Sequence, residues 1–170
     1  MPNLPAAGAP FPKVSVPTLG GGDVTLGQSE DWALVIVYRG LHCPKCKAYM
    51  EELDGLLGDF KELGVSVTCV SADTKDKAQA FVDEVGYTGT MAYGLSVDQM
   101  REMGVYISAP LSAAEADAPF AEPALFVVND EGVLHLQDVS TMSWGRPPLT
   151  GVRDGINFVR TNNRPPRGTY

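Results

Sequence analysis

At 170 residues with 44% hydrophobic content, the chain is the size of one domain with a sizeable core, and its length argues against two. A net charge of −8 and a pI near 4.6, with no long block of Lys or Arg, exclude a nucleic acid or an anionic membrane as the expected partner. No run is long enough to span a bilayer, and Met1 to Pro10 lacks a basic start followed by an apolar stretch, so neither a membrane span nor a secretory signal is expected.

Residues 1–13 carry Pro2, Pro5, Pro10 and Pro12 and read as an extended lead-in that drapes over the domain. Val14–Leu19 and Val24–Leu26 flank Gly20-Gly21-Gly22-Asp23, a hairpin composition. Ala33–Tyr38 is apolar, β-branched and short, which predicts a buried central strand. From Cys46 to Leu63 apolar residues recur at helical spacing, with Gly64 as the cap. Val65–Val70 alternates with β propensity, completing a right-handed βαβ unit with a parallel strand pair.

Asp73–Val85 has a helical core face and a stop at Gly86. Met91–Leu95 suggests a short strand and Val97–Met103 a short helix ending at Gly104. Residues 108–122 form an Ala-rich, acidic loop suited to a lid or a partner contact. Ala124–Val128 and Gly132–Leu136 around Asn129-Asp130-Glu131 predict a second hairpin, and Leu149–Arg160 a last helix before a Pro-rich tail over 161–170. The domain proper thus spans 14–160. The expected class is α/β: a central mixed β-sheet flanked by helices, with an N-terminal β-hairpin extension.

The motif that carries chemistry is His42-Cys43-Pro44-Lys45-Cys46, where the central strand gives way to a helix. Cys43 falls at the N-cap and Pro44 at the first helical position, where a missing N–H costs nothing. Free backbone N–H groups and the positive end of the helix dipole then favour a thiolate on Cys43, with Arg39, His42 and Lys45 adding positive charge. Cys46 lies one turn on, on the same face, placed to attack a mixed disulfide or sulfenic acid on Cys43. Two other readings stand beside redox use. Cys-X-X-Cys is half of a zinc site, but zinc needs four ligands and only Cys69, His42 and His135 remain. Two merely buried cysteines fit poorly with Pro44 and Lys45 at a solvent-facing helix start.

Other candidates have narrower roles. His42 either supports the thiolate by charge or packs beside it. Arg39 either binds an anionic substrate group or pairs with an acid. Cys69 reads as a small buried hydrophobe, His135 as structural, Trp32 and Trp144 as packing or rim residues, and Arg164-Pro165-Pro166-Arg167 as a solvated tail. Three cysteines, two of them a close pair, suit a reducing, cytoplasmic setting better than a disulfide-stapled secreted scaffold.

The order of elements around Cys43-Pro44-Lys45-Cys46 resembles the thioredoxin superfold over nearly the whole chain. Ala9-Pro10-Phe11-Pro12, Tyr38-Arg39-Gly40-Leu41-His42-Cys43-Pro44 and Leu125–Leu134 are similar to segments of peroxiredoxin-like proteins of the alkyl-hydroperoxide-reductase and thiol-specific-antioxidant group. The resemblance implies a thiol peroxidase without a bound cofactor, a peroxide or disulfide substrate, an external thiol reductant, and a homodimer by analogy. It also implies that Pro123, in Glu122-Pro123-Ala124, is cis and faces the cysteine pair, and that Arg146 matches a second arginine after the hairpin. The sequence departs from the peroxide-reducing pattern, which has a proline seven residues and a Thr or Ser three residues before the reactive cysteine. Ile36 and Gly40 stand there, which removes a donor to the peroxide oxygen, and Glu122 occupies the place of an arginine. A thioredoxin-like disulfide reductase therefore stays open as an alternative, as does a non-catalytic redox switch or metal clip.

Overall fold

The computed structural model describes residues 4–169. Its first strands, β1 (Ser15–Pro17) and β2 (Asp23–Thr25), form the expected antiparallel hairpin with Val16 opposite Val24. Next comes β3 (Trp32–Val37), buried at every position, then α1 (Pro44–Asp54), α2 (Leu57–Glu62) and β4 (Val65–Val70). They are followed by α3 (Lys75–Val85), β5 (Thr90–Ala92), α4 (Val97–Glu102), β6 (Ile107–Ser108) and β7 (Phe120–Ala121). The chain ends with β8 (Ala124–Val128), β9 (Leu134–Val139) and α5 (Leu149–Thr161).

The main sheet has the order β5-β4-β3-β8-β9, so β3 lies at its centre. It pairs parallel with β4, Val37 against Val70, and antiparallel with β8, Val37 against Ala124. The mixed sheet and its flanking helices are those of a thioredoxin-like fold. Alternation along β3 feeds two cores. Leu34, Ile36 and Tyr38 face α1, α2, α3 and α5 through Met50, Phe60, Phe81 and Ile156. Ala33, Val35 and Val37 face the opposite layer, which holds Phe11, Val16, Leu26 and Met100.

The lead-in is extended and adds to the sheet edge: Gly8 N–H donates to Leu134 O, Leu134 N–H to Ala9 O, and Phe11 N–H to Gly132 O. Two expectations change. The helix expected through Leu63 is broken, with α1 ending at Gly55 and α2 starting after Leu56. Gly55 and Gly58 are weak helix formers, and the break turns Phe60 into the core under β4. The 108–122 segment is a loop only in its middle, because β6 and β7 pair antiparallel at its base.

Helix ends follow local chemistry. Thr74 caps α3 by accepting from Lys77 N–H, and Gly86 closes it in the left-handed region that favours glycine. Ser96 and Gln99 make a reciprocal capping box at α4. No helix among the described residues is long and apolar enough to cross a membrane.

Candidate active site

Cys43 is the N-cap of α1 and Pro44 its first helical residue, and the Cys46 N–H donates to the Cys43 sulfur at 3.4 Å. This is the geometry in which an orphan helix N–H meets a sulfur anion. All three cysteines are free thiols. The Cys43 thiol is drawn down to about 5, chiefly because the Cys46 thiol donates to it; burial opposes this, while the Cys46 amide and the Arg39 and Arg146 guanidinium groups add to it. Cys46 moves the opposite way, pushed up by burial and by its bond to Cys43. Both shifts favour the first sulfur as the one that ionises more readily.

The Arg39 guanidinium is near enough to favour the Cys43 thiolate, while the Arg39 backbone N–H donates to the Cys46 sulfur at 3.4 Å. Arg146 donates from Nη2 to the Cys46 sulfur at 2.9 Å. It is aimed by a bond from Nε to Ser143 O and by the Tyr49 ring, whose centroid is 5.2 Å from the guanidinium carbon. Arg146, singled out in the sequence, thus meets the second sulfur.

Arg39 is an acid-paired arginine. Its Nη2 is 3.2 Å from Glu115 and its Nε 3.1 Å from Glu122, and its guanidinium covers the Phe120 ring at 4.7 Å. Glu122 is buried and accepts from Ser108 Oγ at 2.6 Å. The other side of the turn is closed by His42, whose ring is tilted against Phe120 with centroids 4.7 Å apart. Burial and the Arg39 charge hold the His42 imidazole below its ordinary range, which favours packing over charge support. The sulfurs are covered: Cys43 is 1% exposed and Cys46 0%. Part of the cover is the 109–119 loop, where Glu115 also accepts from Leu111 N–H at 2.7 Å and Asp117 pairs with Lys77 at 2.6 Å.

Pro123 requires a correction. No peptide bond among the described residues is cis. Glu122 N–H donates to Tyr106 O, and Pro123 O accepts from Ser140 N–H, so the chain passes from β7 to β8 along an extended, sheet-bonded path that a trans bond continues. Pro123 lines a small cleft with Ile36, Tyr49 and Arg146. Cys69 is fully buried, within reach of Met50 Sδ and Tyr87 Oη. His135 is buried against Trp32, whereas Trp144 is exposed. Among the described residues no group of three or more His, Cys, Asp or Glu is placed to hold a metal ion.

Residues 7–137 match the AhpC/TSA family. The chain belongs to that family. Among AhpC/TSA-like relatives, alkyl hydroperoxide reductase C of Amphibacillus xylanus is 23% identical over 133 residues, 77% of this chain and 69% of that protein. Thiol-disulfide oxidoreductase ResA of Halalkalibacterium halodurans is 27% identical over 115 residues, 67% of this chain but only 57% of that protein's length. The peroxiredoxin-like protein from Aquifex aeolicus superposes with a TM-score of 0.76 at 19% identity, covering 92% of this chain and 88% of that chain. Enterococcus faecalis AhpC gives 0.73 at 20% identity, covering 94% and 97%. These last two likenesses establish the shared fold.

The sequence reading did not single out Glu115, Phe120 or Asp73 as neighbours of this AhpC/TSA site. Asp73 Oδ2 accepts from Leu41 N–H at 2.8 Å, across 32 residues of sequence. The one usable signal was position: Asp73 follows the C-terminal end of β4, the edge of a parallel pair where sites gather.

Proposed function

We propose that this AhpC/TSA protein is a thiol-dependent peroxidase that cycles Cys43 and Cys46 between dithiol and disulfide, drawing electrons from an external thiol and using no bound cofactor. The Cys43 thiolate attacks a hydroperoxide oxygen; an S–O bond forms as the O–O bond breaks, and water or an alcohol leaves. Cys46 then attacks the oxidised sulfur, forming the S–S bond and releasing water, and an outside thiol reduces the disulfide. Arg39 holds the anion on Cys43, Arg146 readies Cys46, His42 walls the turn as a neutral ring, and Pro123 walls the cleft beside Arg146. The reading rests above all on Cys43 accepting the Cys46 N–H at the helix N-cap.

Stopped-flow oxidation of the reduced protein by hydrogen peroxide, an alkyl hydroperoxide and a small disulfide tests this. Peroxide is expected to be the fastest oxidant. Cys43→Ser is expected to abolish thiol-dependent turnover and Cys46→Ser to accumulate a sulfenic acid that dimedone traps; full turnover in Cys43→Ser rejects the assignment.

The second reading, a thioredoxin-like disulfide reductase, is favoured by the missing hydroxyl at Gly40 and by the similarity to ResA. A disulfide that outpaces both peroxides in the same experiment would select it. A homodimer in a reducing, cytoplasmic setting fits either cycle by analogy with the family, and light scattering of the purified protein checks the assembly.

A further inference from the structure

Arg146 reaches the Cys46 sulfur from a segment, 140–147, that forms neither helix nor strand. It is tied down at few points. Ser140 N–H donates to Pro123 O at its start, and within it Met142 N–H donates to Ser140 Oγ at 3.0 Å and Arg146 Nε to Ser143 O at 3.0 Å. At its end the anchor is Tyr49. The Tyr49 Oη donates to Pro147 O at 2.8 Å, and its ring faces the Arg146 guanidinium with 5.2 Å between centroid and guanidinium carbon. Tyr49 belongs to α1, one turn beyond Cys46, so the helix that carries the sulfur also carries the platform for the cation that meets it. Tyr49, Arg146 and Pro147 wall one small cleft together with Ile36 and Pro123. Burial raises the Tyr49 phenol above its ordinary range, so it keeps the proton it donates.

We infer that Tyr49 is a positioning residue of the disulfide-forming step, holding Arg146 against Cys46 by its ring face and by its bond to the neighbouring Pro147 carbonyl. The inference rests on the Cys43/Cys46 cycle proposed above. In that step Cys46 loses its proton, its sulfur bonds to the Cys43 sulfur, and the group that Cys43 carries leaves. After a peroxide that group is hydroxide, which takes the proton and departs as water; after a small disulfide it is a thiolate. Cys46 is oxidised while the sulfenic sulfur, or the second half of the small disulfide, is reduced, so no further oxidant is needed. A cation at the Cys46 sulfur stabilises the anion this requires, and Arg146 counters the burial that pushes the Cys46 thiol up. The other charged or titratable groups near Cys46 are Cys43 on the same turn and Arg39 and Tyr38 after β3. Those near Tyr49 are Glu52 of α1, Asp138 of β9 and Cys69 of β4, and Arg146 faces both Tyr49 and Cys46.

The test follows both phases with hydrogen peroxide and with dithiodipyridine, an aromatic disulfide that loads a thiopyridyl group on Cys43 and releases a second coloured thiopyridone when Cys46 attacks. Tyr49→Leu, which removes ring and hydroxyl, is expected to slow the disulfide-forming phase about tenfold with either oxidant, and Tyr49→Phe, which keeps the ring, about threefold, the scales of a desolvated cation–aromatic contact and of one hydrogen bond. The first oxidation of Cys43 should stay within about twofold, since Arg39 and the helix start are untouched. Against pH, the disulfide-forming rate in Tyr49→Leu should reach its midpoint at higher pH than in wild type, while the profile of the first phase stays in place. In an Arg146→Met background both substitutions should change the disulfide-forming rate by less than about twofold, because the guanidinium they position is gone. An undiminished effect in that background, equal slowing of both phases, or no slowing in either variant overturns the role of Tyr49. Where Tyr49→Leu fails to fold, the smaller loss in Tyr49→Phe and its disappearance in Arg146→Met decide alone. If wild-type Cys43 reacts with both oxidants yet no Cys43–Cys46 disulfide follows, the cycle itself fails and this role with it. If only peroxide is refused, the peroxidase reading fails and the phases with dithiodipyridine decide on Tyr49.

Discussion

Arg146 donates to the Cys46 sulfur at 2.9 Å from a position one hundred residues further along the chain. A guanidinium on the second sulfur stabilises the anion that Cys46 must become before it can attack Cys43. Arg146→Met is therefore expected to slow the disulfide-forming phase by roughly ten- to a hundredfold, the scale of a lost hydrogen bond to a charged group. The first oxidation of Cys43 should change far less. Two-phase intrinsic fluorescence in stopped flow reads both steps.

The Cys43 thiol, drawn down from 9.0 to about 5, links stability to pH. A group that ionises more easily in the folded state stabilises fully above its unfolded value and loses that contribution as pH falls through its folded value. The reduced protein is thus expected to melt at progressively higher temperature between about pH 5 and pH 9. Cys43→Ser should flatten this rise. Above that window the sign reverses, because burial pushes the ionisation of Cys46, Tyr38 and Tyr87 upward and unfolding releases it. Calorimetry across the pH range under reducing conditions measures both limbs.

Glu115 holds the loop to Arg39 from the exposed side of the site and shares that guanidinium with Cys43. Glu115→Gln should open the cover more often and accelerate alkylation of Cys43 by iodoacetamide about two- to fivefold, in line with a weak surface ion pair. High salt should accelerate the wild type in the same direction and leave the variant nearly unchanged.

Gly40 combines a backbone conformation that side chains rarely adopt with a carboxylate where its Cβ would go. Gly40→Ala is expected to destabilise by about 1–3 kcal/mol, lowering the melting temperature on the order of 2–10 °C. Thermal denaturation followed by circular dichroism checks this.

Much of this molecule was legible along the chain. The strand that delivers Cys43, its N-cap position and Pro44 beside it, the two hairpins and the parallel partner of β3 follow from periodicity, turn residues and capping chemistry, which act within a few residues and so are visible in a short window. The partners of the site were not. Arg39 reaches Glu115 across 76 residues and Leu41 meets Asp73 across 32, and nothing local to either partner marks the other. The break at Gly55 and the trans Pro123 likewise depended on neighbours, the first on where Phe60 had to pack and the second on the sheet bonds around β7 and β8. The sequence by itself placed two sulfurs at a helix start, because that needs only local backbone geometry. Tertiary structure decided which distant charges surround them, Arg146 at Cys46 and Glu115 and Glu122 at Arg39, since those contacts depend on how remote segments pack.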